Sequence, residues 1–218
     1  MSSVVVDIDD TLVSTDRRKW AVWRHILNRE IPFEMVESKS SRQVLEQFAS
    51  ANEEVWKRFW RVLLCLEEAG IQLLKFDEPI PFAAEVLHKW SKKFKIIYFT
   101  GRTNNMRQLT LDELKRFGFP VSNVDLVTPE DMDFEIYLTT AIDIRAQLFS
   151  SLTKQYRVIR VVDDYPDFFN IYRQFEVPDR VGLLRPKRFS TQEYLKQGAT
   201  RVIERWKQLY EDARPTTC

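Results

Sequence analysis

The 218-residue sequence predicts an α/β protein whose mostly parallel sheet is sandwiched by helices, with a helical subdomain inserted after the first strand. Two observations predict this architecture. Short β-branched runs alternate with amphipathic helical patterns, and such alternation is typical of parallel sheets covered by helices. Residues 16–76 break the alternation, because they contain helical patterns and no convincing strand. We therefore expect a core formed by residues 1–15 and 77–218 and a helical insertion formed by residues 16–76.

Apolar, β-branched runs identify the strands of the expected sheet. The three strongest runs cover residues 4–8, 95–100 and 157–162, and each ends beside polar residues. Weaker runs cover residues 124–127 and 181–184. Short, mostly apolar runs of this kind are typical of strands buried on both faces.

Helical patterns follow most of these strands. They cover residues 82–93, 105–117, 139–152 and 192–210. Thr139 or Thr140 should cap the third of these helices, because a threonine hydroxyl accepts hydrogen bonds from the free amides of a first helical turn. Residues 213–218 are expected to form a frayed tail.

The insertion should contain three helices. Trp20, Trp23 and Leu27 are spaced three and four residues apart, which places them on one face of the first helix. Ser41 and Asn52 are the expected caps of the second and third. We expect the tryptophans of this segment to pack inside the insertion.

Composition and charge limit the classes of partner. The sequence is 44% hydrophobic and 30% charged, as in globular proteins, and its 33 basic and 32 acidic residues give a net charge of +1. No overall electrostatic field therefore favours binding of nucleic acid or of an acidic membrane.

Cys65 and Cys218 form neither a disulfide framework nor a pair at metal-ligand spacing. With no charged leader and no apolar run of about 18 residues, the expected location is the cytoplasm, without a membrane.

Polar side chains follow the three strongest strands. Asp7 lies near the end of the first, Asp9 and Asp10 follow it, and Asp163 and Asp164 follow the third. Because the carboxyl ends of parallel strands meet at one edge of a sheet, these acids should converge there. Acids from two strand ends form the hard oxygen cage that Mg²⁺ prefers when it binds with substrate phosphate.

The same edge of the sheet carries groups suited to phosphoryl transfer. One carboxylate of the Asp7 and Asp9 pair can attack phosphorus while the other handles protons. Thr100 and the amide of Gly101, after the second strand, offer neutral donors to phosphate oxygens. Glycine also lets the backbone approach a ligand closely. Arg102, which follows them, is expected at the surface, with a phosphate contact as the alternative.

Three of these segments resemble motifs of the haloacid dehalogenase superfamily. Residues 7–12 match the first motif, residues 98–102 resemble the second, and residues 161–164 resemble the fourth. The resemblance implies a Rossmann-like core with a helical cap. It also implies a Mg²⁺-dependent phosphatase for a small phosphorylated metabolite, such as a sugar phosphate or a nucleotide, acting through an aspartyl-phosphate.

The resemblance also assigns roles to individual residues. It implies that Asp7 is the nucleophile and that Asp9 is the acid and base, with its backbone carbonyl as a metal ligand. Asp163 would anchor Mg²⁺, and Asp164 would support the metal or its waters. An acid at position 9 favours phosphate chemistry over dehalogenation, because haloacid dehalogenases typically lack it.

The third motif of that superfamily is usually a lysine, and here the best-placed residue is Arg145, 18 positions before Asp163. A planar guanidinium keeps the charge of lysine but not its shape. Two alternatives therefore stay open beside the phosphatase: a catalytically weak phosphate- or partner-binding module, and a phosphomutase. The basic cluster of residues 185–188 is expected to be a solvated loop. The alternative is that it faces the phosphate, with Lys187 or Arg188 supplying the charge in place of the usual lysine.

Overall fold

The computed structural model describes residues 2–130, 134–185 and 187–211. Within them the strands, in chain order, are β1 (Ser2–Val6), β2 (Val13–Ser14), β3 (Glu78–Pro79), β4 (Lys95–Phe99), β5 (Val124–Val127), β6 (Arg157–Asp163), β7 (Asp179–Leu183) and β8 (Arg201–Ile203). The main sheet has the order β5-β4-β1-β6-β7-β8, and its neighbouring strands all run parallel. Strands β2 and β3 form a separate antiparallel pair. The predicted α/β class is confirmed.

Strand β1 lies in the middle of the sheet and is buried on both faces. Val4 and Val6 belong to one hydrophobic cluster, and Val5 belongs to another on the opposite side. This alternation follows from the two-residue period of a strand. The strand ends at Val6, two residues earlier than the sequence predicts, so Asp7 lies directly after it.

The helices surround the main sheet and fill the segment between β2 and β3. In chain order they are α1 (Asp16–Leu27), α2 (Phe33–Ser38), α3 (Ser41–Ala49), α4 (Glu53–Leu63), α5 (Glu68–Leu73), α6 (Ala83–Ser91), α7 (Arg107–Arg116), α8 (Phe134–Gln155), α9 (Phe169–Gln174), α10 (Thr191–Gln197) and α11 (Lys207–Glu211). Among the described helices, none combines the length and apolar character that crossing a bilayer requires.

Helices α1–α5 share a hydrophobic cluster of their own. Trp23 of α1 stacks on Phe59 of α4 with ring centroids 4.2 Å apart. Asn52 caps α4 as predicted, whereas α3 is capped by Ser40 rather than Ser41, through a hydrogen bond that the Gln43 amide donates to its hydroxyl. Helices α2 and α5 add to the three predicted helices.

Two predicted helices of the core differ from the structure. The pattern over residues 192–210 contains α10, β8 and α11, because Gly198 ends α10 with φ 111° and the chain then adds a short strand beside β7. Helix α8 already includes Phe134, so Thr139 and Thr140 do not cap it. Their hydroxyls donate instead to the Ile136 carbonyl within the helix. The predicted tail, residues 213–218, lies outside the described residues.

Candidate active site

Three carboxylates meet at the carboxyl ends of β1 and β6. Asp7 is fixed by its amide, which donates to the Val162 carbonyl at 3.0 Å. The side chains of Asp7, Asp163 and Asp164 are all buried, and each offers an oxygen within 4.8 Å of the others. An oxygen-only donor set of this kind fits a hard divalent cation such as Mg²⁺.

The electrostatics of this triad also favour a bound cation. Burial raises the pKa of Asp7 well above its usual value, and the charge of Asp163 raises it further, whereas Arg145 lowers it. Burial likewise raises the pKa of Asp164 to about 7, against the opposing effect of Arg185. Closely spaced carboxylates resist joint ionisation, and a cation relieves that cost.

Arg145 lies beside the triad. Its Nη2 donates to Asp7 Oδ1 at 3.1 Å and to Asp163 Oδ2 at 2.5 Å. Its guanidinium carbon also lies 4.6 Å from the Phe99 ring centroid and 4.0 Å from that of Phe168. Cation–π contacts of this length restrict the orientation of the guanidinium group.

Tyr172 of α9 completes the support of Arg145. Its hydroxyl accepts hydrogen bonds from Arg145 Nε at 3.1 Å and Nη2 at 2.8 Å, and it donates to Asp163 Oδ2 at 2.6 Å. Arg145 and Tyr172 therefore both donate hydrogen bonds to the Asp163 carboxylate. Tyr172 could not be identified from the sequence, because its position nine residues after Asp163 matches no recognisable motif.

Asp9 points toward two arginines rather than into the triad. Arg102 donates from Nε to both carboxylate oxygens, at 3.1 and 3.0 Å, and from Nη2 to Oδ1 at 2.8 Å. Arg18 of α1 donates to Oδ1 at 3.0 Å. Burial raises the pKa of Asp9, but Arg102 and Arg18 outweigh it and lower the pKa below its usual value.

Arg102 is buried, with 2% of its side chain exposed, so the expectation of a surface position is wrong. Besides Asp9, it contacts Glu113 Oε2 at 2.6 Å and Asp77 Oδ2 at 3.4 Å. A buried guanidinium requires such partners. Arg18 joins the same group through an ion pair of 3.2 Å with Asp77.

Thr100 and Gly101 occupy different positions at the end of β4. Gly101 lines a cavity beside the three carboxylates. A Cβ added there would lie 3.0 Å from the Tyr137 hydroxyl, which donates to the Gly101 carbonyl at 2.5 Å. Thr100 is buried, and its hydroxyl accepts from the Arg102 amide at 3.1 Å. It is not among the described residues that line the cavity.

The basic cluster after β7 reaches the site, so the expected solvated loop is wrong for Arg185 and Arg188. Their side chains are only 13% and 14% exposed. Arg185 pairs with Asp10 and donates to Asp16 at 2.6 Å, and Arg188 donates to Asp16 at 2.9 Å. The acidic partners explain this burial, since unpaired arginines are costly to bury.

A cavity of about 770 Å³ opens beside the triad. The core contributes Asp7, Asp9, Gly101, Arg145, Tyr165 and Phe168 to its lining. The segment 16–76 contributes Arg18, Gln43, Trp56, Trp60, Leu63 and Leu64. Ligand pockets commonly have this size and this mixture of apolar walls and a few polar groups.

Comparison with known proteins adds a distant sequence relative. No family model matches the chain. A Bacillus cereus protein named "putative nucleotidase" is 28% identical over 116 residues, which are 53% of this chain and 58% of that protein. The match therefore spans little more than half the length of the curated relative.

Solved structures match over nearly the whole chain. A hydrolase from Pseudomonas syringae superposes with a TM-score of 0.61 at 19% identity, covering 97% of each chain. A haloacid dehalogenase-family hydrolase from Deinococcus radiodurans R1, solved with bound phosphate and sodium, has a TM-score of 0.65 at 14% identity and covers 96% of this chain and 93% of its own. The chain therefore has the fold of the haloacid dehalogenase superfamily.

Proposed function

We propose that the protein is a Mg²⁺-dependent phosphatase that acts on a small phosphorylated metabolite through a phosphoryl group carried by Asp7. The observation that carries this proposal is the Asp7 carboxylate, which lies at the end of β1 beside Asp163 and Asp164, lines the cavity and accepts a hydrogen bond from Arg145. The superfamily fold supports it.

In the first step, an Asp7 oxygen attacks phosphorus and the ester P–O bond breaks. The leaving alkoxide takes a proton from Asp9, and Arg145 offsets the negative charge on the transferring group. Gly101 also lines the cavity, and its backbone amide would donate to a phosphate oxygen.

In the second step, Asp9 accepts a proton from water while the water oxygen attacks phosphorus. The bond to Asp7 then breaks, and inorganic phosphate leaves. Arg102 and Arg18 favour the ionised form of Asp9, which is the form that this step needs. The same residues therefore support the base role more strongly than the acid role.

Asp7, Asp163 and Asp164 are the residues that would hold the metal, together with the backbone carbonyl of Asp9. Bound Mg²⁺ supplies positive charge that offsets the carboxylates and the phosphate. Residues 16–76 would act as a cap that excludes bulk water, since α1 and α4 contribute to the cavity lining. We place the protein in the cytoplasm, with a small phosphorylated substrate and neither nucleic acid nor a membrane as partner.

One observation favours a second candidate, the catalytically weak binding module. Arg145 is held by Asp163, Tyr172 and two aromatic rings, so its charge is already shared before any phosphate binds. A module of this kind would bind phosphate or metal without turnover. A phosphomutase would instead protect the aspartyl-phosphate from water and return the phosphoryl group to a second hydroxyl.

Phosphate release from a broad panel of esters, with Mg²⁺ or a chelator present, tests the proposal. We expect Mg²⁺-dependent release by the parent protein and none by Asp7→Asn. Release that persists in Asp7→Asn would overturn the nucleophile assignment. Phosphate binding without release from any ester would favour the binding module, and isomerised esters without net release would favour the mutase.

A further inference from the structure

Tyr137, near the start of α8, places its hydroxyl against the loop that follows β4. The hydroxyl donates to the Gly101 carbonyl at 2.5 Å, and both residues line the cavity beside the three carboxylates. Burial raises the pKa of Tyr137 to about 12, so the hydroxyl keeps its proton and acts as a donor. A helix of the core therefore holds one peptide group of the proposed phosphate site.

The peptide group between Gly101 and Arg102 is held on both sides. Its carbonyl accepts the hydrogen bond from Tyr137, and its N–H donates to the Thr100 hydroxyl at 3.1 Å. The Arg102 side chain is fixed in turn by Asp9. Glycine permits a wide range of backbone torsions, so fixing the peptide that follows Gly101 restricts the direction in which Gly101 presents its own amide.

The Gly101 amide itself donates to no residue in the described part of the chain, whereas both neighbouring amides are bonded. The Thr100 amide donates to the Val127 carbonyl, and the Arg102 amide donates to the Thr100 hydroxyl. A backbone donor that is fixed before the ligand arrives stabilises charge on a transferring group, because it needs no reorientation during the reaction. The Gly101 amide is therefore suited to bind a phosphate oxygen.

Packing fixes the ring of Tyr137 as well. The residue is only 8% exposed, and its hydrophobic cluster contains Leu64, Cys65 and Leu74 of the inserted segment and Met106 of the core. Close packing leaves a buried ring little freedom to move. The hydroxyl is thus held at Gly101 from both the insertion and the core.

This inference rests on the proposed phosphatase function. We propose that Tyr137 is a positioning residue of the phosphate site: its hydroxyl fixes the Gly101 peptide so that the Gly101 amide donates to a phosphate oxygen beside Asp7. Tyr137 does not contact phosphate in this arrangement, because its proton is donated to the Gly101 carbonyl. Its effect on phosphate binding therefore depends on Gly101.

Glycine amides report the proposed contact directly. The chain contains five glycines, so ¹⁵N-glycine labelling gives five amide signals, and Gly101→Ala assigns that of Gly101. Inorganic phosphate added to the parent with Mg²⁺ should shift the Gly101 signal more than any other. Tyr137→Phe should reduce that shift and raise the Kd for phosphate at least about threefold, because one neutral hydrogen bond corresponds to about two- to twelvefold in an equilibrium constant.

Tyr156→Phe is the matched control, since both variants lose one hydroxyl and keep an aromatic ring. Tyr156 follows the last residue of α8, and its hydroxyl donates to Asp125 Oδ2 at 2.5 Å. It is not one of the described residues that line the cavity beside Asp7. Tyr156→Phe should leave the Gly101 shift and the Kd unchanged. Equal changes in both variants, or none in Tyr137→Phe, would overturn the inference.

A double-mutant cycle separates positioning from direct contact. A Cβ added at Gly101 would lie 3.0 Å from the Tyr137 hydroxyl, which is the one described atom within 4 Å of it outside the adjacent residues. Gly101→Ala should therefore displace the hydroxyl and weaken phosphate binding, whereas the methyl group has room in the Tyr137→Phe background. By isothermal titration, the combined effect on Kd should be at least about threefold smaller than the product of the single effects. Effects that multiply would overturn the positioning role.

Ester turnover tests the phosphatase separately from this inference. Turnover by the parent with a Gly101 signal that does not respond to phosphate would overturn the inference alone. Phosphate binding that depends on Tyr137, without turnover, would support the inference and overturn the phosphatase. If circular dichroism shows that Tyr137→Phe does not fold, Gly101→Ala carries the test, and a Kd for phosphate equal to that of the parent would overturn the inference.

Discussion

Arg18, on the first helix of the insertion, donates a 3.0 Å hydrogen bond to the carboxylate of Asp9, which follows the first strand of the core. The bond links residues nine apart in the chain, and Arg18 is almost fully buried. Arg18 also forms an ion pair with Asp77, the first residue after the insertion. The insertion and the proposed acid and base are thus joined by one side chain.

Arg18→Gln should raise the pKa of Asp9, because it removes one of the two positive charges that lower it. In the proposed mechanism, the ionised form of Asp9 activates water. The acidic limb of the pH profile of kcat should therefore move to higher pH. Arg17→Gln is the matched control, since Arg17 is exposed and pairs with Glu78. An acidic limb that moves equally in both variants, or in neither, would contradict the proposed effect of Arg18 on the pKa of Asp9.

Arg145→Lys should lower kcat/KM about tenfold or more, which corresponds to about 1.4 kcal/mol of lost transition-state stabilisation. An ammonium keeps the charge but cannot reproduce the contacts of a planar group with Asp163, Tyr172 and the two rings. Arg157→Lys, at an exposed position at the start of β6, is the control. Unchanged steady-state kinetics in Arg145→Lys would identify Arg145 as a bystander.

The sheet could be predicted because its central strands carry their own signal. The run before Asp7 is Val4–Val6, and the run before Asp163 contains four β-branched residues among its six, as expected for strands largely buried on both faces. Strand β8 lacks that signal, since it has three residues and lies at the edge of the sheet. Its apolar residues also suit a helical pattern, and the left-handed turn at Gly198 decides between the two.

The site could be predicted only where neighbouring residues define it. Asp7, Asp9 and Asp163 are placed by strand ends, and a helical pattern before the fourth motif places Arg145. The burial of Arg102 depends on Asp9, which is 93 positions away. Such a partner cannot be identified from one sequence, because tertiary packing alone brings the charges together.

Glu113→Gln should destabilise the protein, by about 3 kcal/mol, because it removes a charged partner from buried Arg102. The remaining contacts with Asp9 and Asp77 limit the loss. Urea unfolding measures the change in the free energy of unfolding. Glu85→Gln, on the exposed side of α6, should change that free energy by less than about 0.5 kcal/mol. Equal effects of the two substitutions would show that the buried pair contributes nothing specific.

The stability of the metal-free protein should fall as pH rises from about 4 to about 7. Burial raises the pKa of Asp164 from its usual 3.8 to about 7, so the native state binds a proton over this range that the unfolded chain releases. The contribution of this carboxyl is therefore present at low pH and lost as pH passes its folded pKa. Urea unfolding in the presence of a chelator measures the slope.

Asp164→Asn should flatten this slope, because the amide does not titrate. Asp167→Asn, an exposed change three residues further along, should preserve it. Mg²⁺ should stabilise the parent increasingly as pH rises, because the cation binds the ionised carboxylates of the native state. Since Asp7, Asp163 and Asp164 share that cation in the proposed site, Asp164→Asn should also weaken the Mg²⁺-dependent stabilisation. A Mg²⁺ effect of equal size in parent and Asp164→Asn would exclude Asp164 from the metal site.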